Sequence, residues 1–307
     1  MIRQPLRLIL RIFVLTTVVC IIATAGFAVE KPLPVFVSIP PQKYFVEQIG
    51  GDRVTVDVLL PAGKSPATFT PEPSRIKRLA AADIYFRIGV PFENMVMPMM
   101  KTIGGHIRVV DTRRNIPLRA MTEVHRHADD DHAEMDGKDP HVWMAPMLVK
   151  QQAFIIRDAL CNADPRGCDV YRANTAIFVK TLADLHRQLE KVLQPVKGER
   201  LFVFHPAFGY FADAYGLEQV AVEMAGKAPK GRQLLAFIKQ ARGAGVRVIF
   251  VQSQFDRRAA QKIADAIGGA VVPLDPLDPD YMTNMTRMAE TIRQALIKKN
   301  GGTGHGR

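Results

Sequence analysis

Two residues stand where an apolar run stops and a polar side chain faces whatever lies beyond, and a third stands between an acidic tract and an apolar block. His205 follows Leu201-Phe202-Val203-Phe204 and precedes Pro206-Ala207-Phe208-Gly209. Asp275 closes Ala270-Val271-Val272-Pro273-Leu274 in the same way, and His141 lies in Asp139-Pro140-His141-Val142-Trp143, directly after a tract crowded with acids and histidines. Ligands of parallel α/β sheets gather beyond the carboxyl ends of strands, so these positions are candidates for a site. A buried carboxylate without a partner is costly, which favours pairing or metal ligation for Asp275. Two imidazoles and one carboxylate form a donor set for zinc or manganese rather than calcium, which takes oxygen ligands. Imidazole binds metal as the neutral base, so affinity should fall as the pH drops through about 6.5. Taken singly, each of the three reads equally well as a hydrogen-bonded structural residue.

Other chemistry has little support. The chain has no Gly-rich phosphate loop, no His-Glu-x-x-His helix, and no local spacing that suggests a Ser-His-Asp or Cys-His arrangement. The tract before His141 adds His125, His127 and His132 among Asp129, Asp130, Asp131, Glu134 and Asp136. Such a tract binds divalent metal weakly and raises its local concentration, or is simply a solvated acidic linker. His106, His186 and His305 read as surface or helix residues and receive no role. Cys161 and Cys168 flank the turn-rich Asn162-Ala163-Asp164-Pro165-Arg166-Gly167, and a disulfide is predicted between them in an oxidising compartment. With 3 Cys in the whole chain a four-cysteine zinc site is excluded.

The elements that must position these residues alternate between short β-branched runs and amphipathic segments, the pattern of parallel strands joined by crossover helices. Strands are predicted at 35–38, 54–60, 84–88 and 107–111, with helices at 42–49, 74–81 and 93–103. Periodicity is then lost across 112–138, which reads as a loop. The theme returns with strands at 201–204, 219–223, 246–251 and 270–274 and helices at 208–215, 233–241, 257–267 and 281–298. Between the halves, Asp169 to Leu193 carries Ala176, Phe178, Val179, Leu182, Leu185, Leu189 and Val192 at helical spacing with no Gly or Pro. A helix of about 25 residues spans about 37 Å, enough to run along two lobes or to serve as one ordinary core helix. The fold class is therefore α/β, with two similar parallel-sheet lobes and one long linking helix. The divisions read as a signal peptide over 1–28, an N-terminal lobe over 29–165, the linking helix over 166–194 and a C-terminal lobe over 195–307.

The chain's 307 residues, 48% hydrophobic and 23% charged, exclude a disordered or wholly membrane-embedded protein. The start reads as an export signal: Arg3, Arg7 and Arg11, then an apolar run from Ile12 to Ala23, then Gly26-Phe27-Ala28 as a cleavage site. About a dozen apolar residues are too few to cross a bilayer, which needs roughly 20. Cys20 lacks the small preceding residue of a lipidated cysteine, so an exported, periplasmic protein beginning near Val29 is expected. The net charge of +11 is basic, but Lys and Arg are scattered in pairs without a dense stripe. One Trp and 6 Tyr leave little for base stacking, and no nucleic-acid partner is expected.

The blocks around the three candidate residues, taken together with Pro61-Ala62-Gly63-Lys64-Ser65-Pro66, Phe69 and Pro71-Glu72-Pro73-Ser74, resemble a known family. It is that of the zinc- and manganese-type substrate-binding proteins of metal ABC transporters (cluster A-I). The other three blocks are Asp139-Pro140-His141-Val142-Trp143, His205-Pro206-Ala207-Phe208-Gly209-Tyr210-Phe211 and Leu274-Asp275-Pro276-Leu277, and the similarity covers nearly the whole mature chain. The resemblance implies two α/β lobes joined by a long helix, a metal held between them by His141, His205 and Asp275, and delivery to a membrane permease. It also implies that a His-rich acidic loop between the first and second ligand blocks is a common feature of zinc-handling members.

In one place the chain departs from the pattern. The family usually has a histidine directly after the proline matched by Pro66, and this chain has Ala67. Water, a loop histidine (His125, His127 or His132) or Glu72 would have to supply a fourth ligand, or specific metal binding would be lost. The expected function is high-affinity binding of a divalent ion, zinc with manganese as the alternative, by a monomer that performs no catalysis. The competing readings are a same-fold receptor for a metal chelate or other ligand, and a zinc hydrolase with Glu72 or Glu223 as base.

Overall fold

A computed structural model describes residues 31–103, 105–121, 137–222, 231–255 and 257–301. The described residues from Leu33 onward form one compact unit. The expected signal segment, the three loop histidines and Glu223 lie outside the described residues.

The first sheet is built from β1 (Leu33–Val37), β2 (Val54–Val58), β3 (Ile84–Arg87) and β4 (Arg108–Asp111), with α1 (Pro40–Gly50), α2 (Pro73–Leu79) and α3 (Glu93–Ile103) as crossovers. All pairings are parallel and the spatial order is β2-β1-β3-β4. The strands are short and apolar because both faces are covered, as a parallel sheet with helical crossovers requires. Val35, Phe36 and Val37 are buried, as are Ile84, Tyr85 and Phe86.

Two helices follow the acidic tract, α4 (Pro146–Ala163) and α5 (Cys168–Leu193). The 26 residues of α5 extend about 39 Å. Its buried stripe runs through Tyr171, Thr175, Phe178, Leu182, Leu185, Leu189 and Leu193. This corrects one expectation, since Ala176 is exposed and Thr175 takes its place. The Thr175 hydroxyl is satisfied by donating to the Tyr171 carbonyl at 2.6 Å, which lets a polar residue occupy the stripe. Cys161 at the end of α4 and Cys168 at the start of α5 are joined by a disulfide.

The second sheet repeats the first with β5 (Arg200–Val203), β6 (Glu218–Ala221), β7 (Val248–Val251) and β8 (Ala270–Pro273), in the order β6-β5-β7-β8 and again wholly parallel. Its helices are α6 (Gly209–Tyr215), α7 (Arg232–Gly243) and α8 (Arg257–Ile267). The last helix, α9 (Tyr281–Gly301), returns to pack along α5. One core runs from the first sheet through α5 to α9, while Phe202, Phe237, Ile249 and Ile263 belong to a second core inside the C-terminal lobe. The long helix therefore shares its packing with both lobes. Among the described residues no helix is long and apolar enough to cross a membrane.

Candidate metal centre

Each sheet reverses direction of growth once, between β1 and β3 in the first lobe and between β5 and β7 in the second. Such a switch point leaves a crevice at the strand ends because the flanking crossovers depart to opposite sides. His205 follows β5 by two residues, and the segment after β7 begins with Gln252, so both border the crevice of the second sheet. Asp275 lies two residues beyond β8.

His141 arrives from the other lobe. The expected loop over 112–138 has paired ends: Ala120 and Lys138 form an antiparallel bridge, Met121 N–H donates to the Gly137 carbonyl, and Asp139 N–H donates to that of Arg119. This neck delivers Asp139 and His141 at a defined place. Asp139 is 1% exposed, and one of its oxygens, Oδ1, accepts both the His141 backbone N–H at 2.9 Å and its Nδ1 at 2.7 Å. A carboxylate at Nδ1 selects the tautomer that carries its proton there and leaves the Nε2 lone pair for a ligand. Tyr210 locks the neck from the second lobe, its hydroxyl accepting from Arg119 N–H and donating to the Asp139 carbonyl, both at 3.0 Å. Gly209 leaves room beside it, because a Cβ there would displace the Arg119 guanidinium and come within 2.8 Å of Asp139 Oδ2.

The two imidazoles come together with ring centroids 5.3 Å apart in an edge-to-face arrangement. His205 is held by the segment that follows β7. Gln252, 1% exposed, accepts from His205 N–H at 3.3 Å and donates to the His205 carbonyl at 2.8 Å. Phe255 stacks on the imidazole at 5.0 Å. The same segment holds Asp275: Ser253 Oγ donates to Oδ2 at 2.7 Å and Gln254 Nε2 to Oδ1 at 2.8 Å, with Leu277 N–H also on Oδ1 at 2.9 Å. Asn284 donates to the Asp275 carbonyl at 2.6 Å. Asp275, Gln254 and Leu277 line a pocket of about 130 Å³ whose other wall is Pro40 and Leu60 to Lys64 of the first lobe.

The structure thus pairs His141 with His205, while Asp275 is gripped by its own lobe. Among the described residues no three His, Cys, Asp or Glu side chains form a group that would hold a metal ion. Glu72 is exposed at the N-cap of α2, within 3.5 Å of Ser74 Oγ. Ala67 sits part-buried in the turn from Ser65 to Thr68, its N–H directed to Ser65 Oγ.

Sequence reasoning missed Gln252, Ser253, Gln254 and Phe255. The signal was present for Gln252, Ser253 and Gln254, because these polar residues follow the apolar run Val248–Val251 just as His205 and Asp275 follow theirs. They are uncharged donors and do not advertise themselves as ligands. Trp143, the chain's one tryptophan, lies 5.1 Å from the His141 ring. Its Nε1–H donates to the Pro276 carbonyl at 2.8 Å, tying the His141 block to the residue after Asp275.

A family model described as the zinc-uptake complex component A, periplasmic, matches residues 35–295. The zinc-binding protein AdcA of Streptococcus pyogenes is 26% identical over 288 residues, covering 86% of this chain and 56% of that protein. The chain thus spans a little over half the length of that relative. The high-affinity zinc uptake system protein ZnuA of Bacillus subtilis is 27% identical over 295 residues, covering 91% and 92% of the two chains. A crystal structure of ZnuA superimposes with a TM-score of 0.79 at 34% identity, covering 87% of this chain and 100% of that one.

Proposed function

The chain belongs to the zinc-uptake complex component A family of periplasmic proteins, and from that premise we propose that it is an exported receptor that binds zinc and hands it to a membrane permease. His141 and His205 are the primary ligands in this reading, Asp275 is the third, and the protein acts as a monomer with no catalytic step. The N-terminal lobe over 29–165, the linking helix over 166–194 and the C-terminal lobe over 195–307 are its working parts.

The observation that carries the reading is the pair of imidazoles 5.3 Å apart, one from each half of the chain. The Asp139 carboxylate behind His141 is the kind of outer partner that orients a metal-binding histidine and fixes its tautomer. An imidazole pair favours zinc over a hard cation, with manganese as the alternative because Asp275 offers oxygen. A receptor shifts its lobes only as far as the metal contacts differ between states. With α5 and the Trp143 and Tyr281 bonds bracing the lobes, the movement should be small and confined to the loops around the site.

The test is calorimetric titration of the metal-stripped protein with zinc and then manganese, beside the His141→Ala, His205→Ala double variant. Trp143 fluorescence gives a second readout because that ring adjoins His141. A tight 1:1 phase that disappears in the double variant supports the receptor. Weak binding that the variant leaves unchanged overturns it.

A second reading has an observation of its own. Ala67 offers no ligand, and the pocket of about 130 Å³ beside Asp275 has room for a small organic group. The cargo in that case is a metal chelate that brings its own fourth donor. Tight binding of zinc alone argues against it.

A further inference from the structure

The hydrogen bonds to Asp275 limit the way in which its carboxylate can meet a metal. A carboxylate offers about four lone-pair directions, two on each oxygen. Oδ1 already accepts Gln254 Nε2–H at 2.8 Å and Leu277 N–H at 2.9 Å, which occupies both of its directions. Among the described residues Oδ2 accepts Ser253 Oγ–H alone, at 2.7 Å, which leaves one of its directions without a described donor. All three described donors are uncharged, and together they take up most of the carboxylate's reach.

We propose that Gln254 is a selectivity residue of the metal site, holding Asp275 to a single-oxygen contact through Oδ2 and so favouring zinc over manganese. The inference rests on Asp275 being a ligand, as the preceding section proposes. Zinc is satisfied by about four donors and takes carboxylate oxygen singly. Manganese sites are rich in oxygen and closer to octahedral, so manganese gains more from a carboxylate that binds through both oxygens. Two imidazoles and one oxygen match zinc's needs. Releasing Oδ1 adds the hard donor that manganese lacks.

Gln254 and Ser253 can be told apart. Loss of Ser253 frees a second direction on Oδ2 but leaves Oδ1 filled, so contact through both oxygens stays blocked. Loss of the Gln254 donor opens Oδ1 itself. Gln254 also lines the pocket, and Gln254→Met keeps the side-chain length while removing the N–H, which avoids opening a void.

The experiment measures zinc and manganese dissociation constants by competition for the wild type, Gln254→Met, Ser253→Ala and Asp275→Asn. Gln254→Met should move the zinc-to-manganese affinity ratio toward manganese by on the order of tenfold. Ser253→Ala should lower both affinities together and leave the ratio where it was. A purely structural role for Gln254 would lower both affinities equally, and an unchanged ratio in Gln254→Met overturns the proposal. An equal shift in Ser253→Ala also overturns it. If Asp275→Asn binds zinc as tightly as the wild type, this inference falls while the histidine-based receptor stands. If the wild type itself binds no zinc, the receptor falls and takes the inference with it.

Discussion

The two lobes share one strand order, and each ends its fourth strand near an aspartate: Asp111 closes β4, and Asp275 follows β8. Their surroundings differ. Asp111 is bound by Arg113 through two guanidinium hydrogen bonds of 3.1 and 2.9 Å and a backbone N–H at 2.9 Å, with Arg87 at 3.8 Å. Arg87 in turn meets the fully buried Glu93 at 3.0 Å. That glutamate also accepts from Ser38 Oγ and from the N–H groups of Ile88 and Gly89, so the first crevice is filled by its own hydrogen bonds. Asp275 is met by a hydroxyl, an amide side chain and a backbone N–H, none of which cancels its charge. The same topology thus yields a girder in one lobe and a candidate receptor site in the other. The fold supplies the crevice, and the side chains at the strand ends decide its use.

The widest separation between the lobes should come from exchanging each aspartate for its amide. Asp275→Asn is expected to weaken zinc binding by roughly a hundredfold, about 2.7 kcal/mol, through loss of a charged donor. Asp111→Asn should leave zinc affinity within about twofold and instead lower the thermal midpoint, because it strips Arg113 of its paired carboxylate while Arg87 keeps Glu93. Calorimetry and thermal melts on both variants decide it. Comparable losses of zinc affinity in the two would end the distinction.

A smaller effect is expected one step back from the metal. Asp139→Asn keeps the shape and an oxygen for the Nδ1–H of His141 but removes the charge behind it, and outer partners of this kind contribute about 10–100-fold in metal affinity. The first lobe offers a matched control in Glu93→Gln, which loosens Ser38 and Arg87 and should cost stability without touching zinc. If Asp139→Asn binds zinc normally, the charged outer partner is dispensable while the imidazole pair survives.

The mildest test is acid. Burial alone would raise the Asp111 carboxyl, but its hydrogen bonds to Arg113 and the nearby charges of Arg113 and Arg87 hold it below the ordinary carboxylate range. A depressed folded value stabilises the protein above the unfolded value of about 3.9, and that contribution is lost as the pH falls through the folded value. Asp164 behaves alike: Tyr171, Arg53 and the Gly167 N–H outweigh its burial. Denaturant melts from pH 5 downward should therefore show a loss of stability below about pH 4 that is shallower in Asp111→Asn. A slope identical to the wild type would mean that the Arg113 contact does no electrostatic work.

Much of the fold was legible from local pattern. Each predicted strand and helix is present with its ends moved by a few residues, because β-branched runs and helical stripes are properties of contiguous residues. The largest misreading inside an element was Ala176, where apolarity suggested burial and the helix phase placed Thr175 inward. His205 and Asp275 could be picked out because each terminates an apolar run, and His141 because it stands between the acidic tract and an apolar block. Their partners could not. Asp139 lies two residues from His141 and reads as part of an acidic tract until its burial is seen.

The sequence by itself determined the α/β class, the repeated lobes, the long helix and the pairing of the only two cysteines beyond the expected signal segment. All of these follow from hydrophobic period and from separations of a few residues along the chain. Only the tertiary structure decided that His141 meets His205 across 64 positions of sequence, that Gln252 to Phe255 grip both His205 and Asp275, and that Asp111 meets two arginines while the described partners of Asp275 are uncharged. Those outcomes depend on which strand ends the parallel pairing places side by side. Pairing between strands distant in sequence is set by the summed packing of a whole lobe, which no local run of residues encodes.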